Sequence, residues 1–244
     1  MWCLTVLQRR KFTLFKTSVK LGWEPLVKIE HYYLSVDKIL EAEQQFMSFM
    51  QVQTPKRYYT PEEYLALEEE AKFKNEYRDG EIVPMTGGTT NHNKIALNFA
   101  AILKFALRGQ DYDVYIGDVR LWIPRYRQYT YPDVMVIQGE PIYTGTSTTT
   151  VMNPLLIAEV LSQSTKNYAQ GDKFLYYRSI PELKEYILID QSKYHVMQYI
   201  KTAEGQWLFS ERESEDAVLI LHSMDFEITF SDLYERVNFA ESED

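Results

Sequence analysis

Residues 129–162, YTYPDVMVIQGEPIYTGTSTTTVMNPLLIAEVLS, hold two runs of β-formers joined by a Gly/Thr/Ser-rich connection, and each run carries one acid where an acid is costly. Asp133 stands in YPDVMVI and Glu159 in PLLIAEVLS, and neither run contains Lys or Arg. A lone carboxylate inside a buried strand costs several kcal/mol, roughly, unless a partner neutralises it. Alternation along the second run puts Leu155, Ile157, Glu159 and Leu161 on one face and Leu156, Ala158 and Val160 on the other. Both faces are apolar, so Glu159 has no watery side unless it lies at the end of its strand. Pro132 marks the entry to a strand or an edge position for Asp133. Two carboxylates at neighbouring strand positions suit a hard cation such as Mg²⁺, and an acid-held metal is the usual apparatus for cutting phosphodiesters. The bland alternatives are a Glu159 that caps a backbone N–H or meets a distant Arg, and an Asp133 that is an ordinary turn acid beside proline.

Working outward, DVYIGDVRLWIP (113–124) reads as one further strand, so that three strands follow one another with residues 139–150 as an exposed connection. Upstream, HNKIALNFAAILKFALRG (92–109) carries Ile95, Phe99, Ile102, Leu103, Ala106 and Leu107 at helical spacing and ends on a glycine. Asp79-Gly80, between Tyr77 and Ile82, is a two-residue hairpin signal. Thr60-Pro-Glu-Glu supplies a helix cap, a first-turn proline and acids that complement the helix dipole. Downstream, Ser164 and Thr165 open a helix that runs to about Ile180, before Pro181. EYILID, HVMQYIK and QWLFSERE read as strands, and Ser231–Val237 as a closing helix.

At 244 residues, 45% hydrophobic and 14% aromatic, the chain can build a real core. A single cysteine, Cys3, excludes an intramolecular disulfide framework and a cysteine-based zinc site, and it suits a reducing cytoplasm. No apolar stretch approaches the ~18 residues of a membrane span. Residues 1–46 show no sustained period and read as an atypical extension, expected to be either disordered or the product of a start assigned upstream of Met47 or Met50; an amphipathic transit peptide is the lesser reading. They hold seven bases and five acids, which leaves 19 bases and 30 acids, a charge of −11, on the expected domain 47–244. That charge argues against indiscriminate binding to nucleic acid and requires a local basic patch, for which Lys94, Lys104, Lys166, Lys173 and Arg178 are the candidates. Nothing fits a Ser/His/Asp hydrolase, a phosphate loop or a dinucleotide fingerprint.

YYTPEEYLALEE, NEYRDGEIVPM, TTNHNKIALN, YPDVMVI, AEVLSQST and GDKFLYYRSIPELKEYILI, taken in this order and spacing, resemble the Uma-type restriction-endonuclease family of the PD-(D/E)XK nuclease superfamily over residues 56–237. The resemblance implies an α/β (α+β) fold with a mixed central β-sheet flanked by helices, and a cytoplasmic metal-dependent endonuclease acting on DNA with Mg²⁺ or Mn²⁺, without a membrane. It matches Asp133 and Glu159 to the metal-binding acids and Glu76 to a third acid that completes the site. The superfamily lysine would fall at Leu161; Lys173 in GDKF matches a lysine supplied from the following helix, where Lys166, Ala169, Lys173 and Tyr176 share a face. That lysine is expected to act on the transition state, so that its loss spares the fold. Products would carry a 3′-hydroxyl and a 5′-phosphate. His92 and Asp118 are weaker site candidates, and Ala169 replaces an acid often found before GDK. Taken without the resemblance, Lys173 is a solvated helix lysine and Glu76 an exposed glutamate beside Arg78. The rival functions are an inactive nuclease fold kept for nucleic-acid binding, and a dimerisation module using Tyr186, Tyr194, Tyr199, Trp207 and Phe209; a homodimer is left open.

Overall fold

The computed structural model describes residues 57–162 and 166–241. The extension 1–46, the start sites Met47 and Met50, and the helix start at Ser164 and Thr165 lie outside the described residues.

The first helix, α1 (Pro61–Glu70), begins as its cap signals require: the Thr60 hydroxyl accepts from the Glu63 N–H, and the Glu63 carboxylate accepts from the Thr60 N–H. Strands β1 (Asn75–Arg78) and β2 (Glu81–Pro84) form the expected hairpin. Its two turn residues, Asp79 and Gly80, both take positive φ, 44° and 103°, as a type I′ turn demands. A side chain at Gly80 would also strike Tyr58, whose Cδ1 lies 2.7 Å from where a Cβ would stand. Helix α2 (Thr90–Ala106) buries Ile95, Phe99, Ala100 and Leu103.

Two expected strands are each divided. DVYIGDVRLWIP splits at Gly117, where φ is +46°, into β3 (Tyr112–Ile116) and β4 (Arg120–Ile123). YTYPDVMVIQ splits around Pro132 into β5 (Gln128–Thr130) and β6 (Val134–Gln138). In both cases the halves join different sheets. β7 (Thr150–Val151) and β8 (Leu156–Leu161) follow, then β9 (Glu185–Asp190), β10 (Val196–Lys201) and β11 (Trp207–Arg212) as expected. A hairpin of β12 (Val218–Leu221) and β13 (Phe226–Thr229), which the sequence reading left unassigned, leads into the short helix α4 (Phe230–Leu233). Between β8 and β9 runs a helical segment, α3: Lys166–Tyr168, a π-helical turn Ala169–Lys173, then Phe174–Tyr177.

Among the described residues the larger sheet has the order β11-β10-β9-β8-β6-β3 and is mixed, since β8 pairs parallel with β9 and antiparallel with β6. A five-stranded sheet, β2-β1-β5-β4-β7, lies on one side of it. Leu121, Ile123 and Val151 of the smaller sheet pack with Met135, Ile137, Ile157 and Leu161 of the larger. The opposite face, with Val134, Val136, Leu156, Ala158 and Val160, packs under α2, the β12–β13 hairpin and α4. This is the expected mixed sheet flanked by helices, and it explains why β8 is apolar on both faces: it is covered on both. The tyrosine cluster Tyr64, Tyr77 and Tyr129 fixes α1 to the smaller sheet.

Candidate active site

The β6–β8 register, Val134 opposite Ala158, sets Asp133 opposite Glu159 at one end of the larger sheet. Asp133 precedes β6, and its Oδ2 accepts the Val160 N–H at 2.7 Å, lacing the two strands together at that end. The same oxygen lies 3.2 Å from His92 Nε2 in the first turn of α2. Burial alone would lower the His92 pKa, but hydrogen bonding and attraction to Asp133 prevail and hold it above the ordinary value. His92 therefore faces the site. Asp118 does not: it is an exposed partner of Lys74 and takes no part in the cavity wall.

Glu159 is 6% exposed and lies on the β8 face that meets the smaller sheet. Its Oε1 accepts from Lys173 Nζ at 2.9 Å and from the Tyr177 hydroxyl at 2.6 Å. Burial pushes its carboxyl up to about 7, against the pull of Lys173. Lys173 reaches the acids from α3, 3.5 Å from Glu76 Oε1, with 13% of its side chain exposed. Burial favours the neutral amine, but Glu159 and Glu76 outweigh it and hold Lys173 as an ammonium above its usual pKa. It is not a solvated helix lysine, and a cation so enclosed contributes to the fold as well as to any chemistry.

Glu76, on β1, is buried rather than exposed. Its Oε1 accepts from Thr130 Oγ1 at 2.5 Å, and its Oε2 accepts from Arg78 Nη2 at 2.5 Å and Nε at 3.1 Å. Burial would raise its pKa, but Lys173, Thr130 and Arg78 together hold it below the ordinary 4.5. With both oxygens taken, Glu76 anchors Lys173 more readily than it offers a third metal ligand. Arg78 in turn lies over the Tyr168 ring, 4.0 Å from its centroid.

The geometry of α3 comes from its π-helical turn. Lys173 closes that turn, and Tyr177, four residues on, lands on the same Glu159 oxygen. Tyr176, expected on the face of Lys173, packs instead on Tyr126 at 4.9 Å. The buried Tyr186 hydroxyl donates to the Ala169 carbonyl at 3.0 Å, tying the start of the π-turn to β9. So the position lacking the expected acid holds a small residue whose backbone is the gripped group. Leu161, at the usual lysine place, is core. Tyr177 and Thr130 are not among the sequence candidates, and Tyr186 is one only for a dimerisation surface; the i, i+4 spacing from Lys173 is the signal that points to Tyr177.

Glu76, Asp133, Glu159 and Lys173 line a cavity of about 900 Å³, with walls from the Pro84–Thr89 loop, the start of α3, and the turn after β9 at Asp190–Lys193. The Thr89 hydroxyl donates to Gln191 Oε1 at 2.7 Å, joining two of these walls. The donor set suits a hard divalent cation. Among the described residues no three His, Cys, Asp or Glu side chains are grouped as a metal cage. Mg²⁺ needs none, since it commonly takes one or two carboxylates and completes its shell with water and substrate phosphate. Asp133 and Glu159 supply that number of carboxylates.

Residues 61–231 match the Uma2 family, described as "Putative restriction endonuclease". The chain is 44% identical over 168 residues to the uncharacterized protein sll1609 of Synechocystis sp., spanning 69% of this chain and 95% of that protein. It is 35% identical over 157 residues to slr1290 of the same organism, 64% of this chain and 82% of that one. A crystal structure titled as a putative nuclease belonging to DUF820, from Anabaena variabilis, superposes with a TM-score of 0.61 at 18% identity, covering 72% of this chain and 97% of that one. The last is a likeness of fold.

Proposed function

The chain belongs to the Uma2 family of nuclease-type proteins, and on that premise we propose that it hydrolyses phosphodiester bonds of DNA at the cavity floored by Asp133 and Glu159. The observation that carries this reading is the meeting of Glu76, Glu159 and Lys173, from β1, β8 and α3, within 3.5 Å of the same ammonium. Three separate elements spend buried charge on one point beneath a cavity. Perturbed, mutually paired charges in a cleft are the usual mark of a functional site.

Asp133 and Glu159 would hold Mg²⁺ or Mn²⁺, which when bound supplies Lewis-acid polarisation of a phosphoryl oxygen and a lowered pKa for a coordinated water. Lys173, fixed as an ammonium, serves as a cation for the negative charge that grows on the phosphoryl oxygens, and not as a proton acceptor. Glu76 holds that ammonium in place while Thr130 and Arg78 hold Glu76. Tyr177 fixes Glu159 through Oε1, and His92 with the Val160 N–H fixes Asp133 through Oδ2. Each acid is thus gripped by one oxygen.

The test is incubation of the purified protein with labelled DNA and RNA in Mg²⁺, Mn²⁺ or EDTA, beside Asp133→Asn. Cleavage that EDTA and Asp133→Asn both abolish supports the proposal. Nucleic-acid binding that survives chelation, with no product from any substrate, would replace it with a binding module of nuclease fold.

A further inference from the structure

We infer that the strand taken into this cavity is unpaired, so that the substrate is a single-stranded or flapped polynucleotide and not an intact duplex; this rests on the nuclease reading of the same site. Depth is the first argument. Glu159 is 6% exposed and Lys173 keeps 13% of its side chain exposed, so a phosphate must descend into the cavity to reach them. These groups lie on the floor of the cavity of about 900 Å³. A duplex can touch the rim of such a space; one strand can enter it.

The second argument is what the walls are made of. Met85 is half-buried in the cavity wall beside the charged groups, whereas Leu161 is core and the Tyr168 ring already carries Arg78 on one face. A duplex presents sugars, phosphates and base edges but keeps its base faces stacked, whereas an unpaired nucleotide brings a base with an exposed face. Charge agrees. Of the cations at the cavity, Arg78 and Lys173 are matched by Glu76 and Glu159, while Lys166 lies 3.7 Å from Asp190 and Lys193 3.0 Å from Glu213. On a chain of net charge −9 this set competes poorly for the dense phosphate array of a double helix.

The walls are also joined. The Thr89–Gln191 hydrogen bond links the loop before α2 to the turn after β9.

The experiment is fluorescence anisotropy on the full chain in Ca²⁺, with four labelled probes of one sequence: single-stranded DNA, matched duplex, duplex with a 5′ flap, and single-stranded RNA. The single strand and the flap are expected to bind at least tenfold more tightly than the duplex. Their salt dependence should be shallow, with a slope of log affinity on log salt of about −1.4 to −2.1, as two or three single-strand phosphates at ~0.7 each require. Duplex binding equal to or tighter than the single strand overturns the inference, and so does binding of none of the probes. The RNA arm decides which sugar the strand carries. Cleavage in Mg²⁺ is scored separately: cleavage of the duplex as fast as the flap sinks this inference and leaves the nuclease reading standing, whereas absence of any product beside tenfold single-strand preference sinks the nuclease reading alone.

Discussion

Replacing Lys173 by Met removes an ammonium that touches both Glu159 and Glu76. Breaking a buried ion pair from one side typically costs 3–5 kcal/mol, because the surviving charge is left without compensation. Here the survivors differ. Glu76 keeps Arg78 and Thr130, while Glu159 keeps only the Tyr177 hydroxyl among the described residues. One orphaned carboxylate, not two, puts the expected loss at the low end, about 3 kcal/mol. For a domain of this size that is a fall in Tm of roughly 6–12 °C. The assay is urea and thermal denaturation at pH 8 of wild type, Lys173→Met, Glu159→Gln and the double variant. Removing both charges should restore stability to within about 1 kcal/mol of wild type, giving a large coupling energy in the cycle. A single variant within about 0.5 kcal/mol of wild type, with additive effects in the cycle, would mean that the ammonium is an ordinary surface charge, and the charge-cluster argument would fail.

Glu76, held below its ordinary pKa, contributes stability that is present above 4.5 and lost as pH falls through the lowered folded value; Glu76→Gln should flatten the acid limb of a stability–pH curve, and parallel curves for the two proteins would refute this. Tyr186→Phe keeps the ring but leaves the Ala169 carbonyl without its donor, at a cost of about 1–3 kcal/mol; cleavage should fall further than stability does, and unchanged turnover would release Tyr186 from any part in setting α3. Asp133→Asn should weaken Mn²⁺ binding in calorimetry while the protein melts within a few degrees of wild type, and undiminished binding would remove Asp133 from the metal site. Gly80→Ala combines positive φ with a clash against Tyr58 and should cost at least about 1–2 kcal/mol in denaturant titration; a neutral effect would contradict the turn geometry.

The site was legible where chemistry is local. Asp133 and Glu159 are acids in apolar strands, and a sequence shows that directly. Asp79-Gly80 and Thr60 announced their turn and cap for the same reason. Lys173 needed the family resemblance, because nothing in GDKF by itself says that a helix lysine will be swallowed between two carboxylates. Glu76 was placed by resemblance too, but its burial and its bond to Thr130, fifty-four residues away, could not be read. Gly117 and Pro132 each sit inside a run of β-formers, so each divided strand pair reads as one strand; β-forming composition does not say which sheet a residue joins. Tyr186, one of the aromatics offered to a dimerisation module, has its ring in the core. Only its hydroxyl does something else, and a hydrogen bond to a backbone carbonyl leaves no trace in side-chain pattern.

A π-turn is an α-helix carrying one residue more than its winding needs, and such turns gather at functional sites. Between Tyr168 and Phe174 that surplus residue sets the bearing of Lys173. Take one residue out, and the segment can wind as plain α-helix with every side chain on one flank rotated by about 100°. The acids, the lysine and the fold would all persist while the ammonium pointed elsewhere. The count of residues in a five-residue stretch is therefore an arming pin, separate from the identity of any side chain. A three-base deletion pulls it, and an insertion nearby can restore it, so that armed and disarmed copies would share every residue by which the site is recognised.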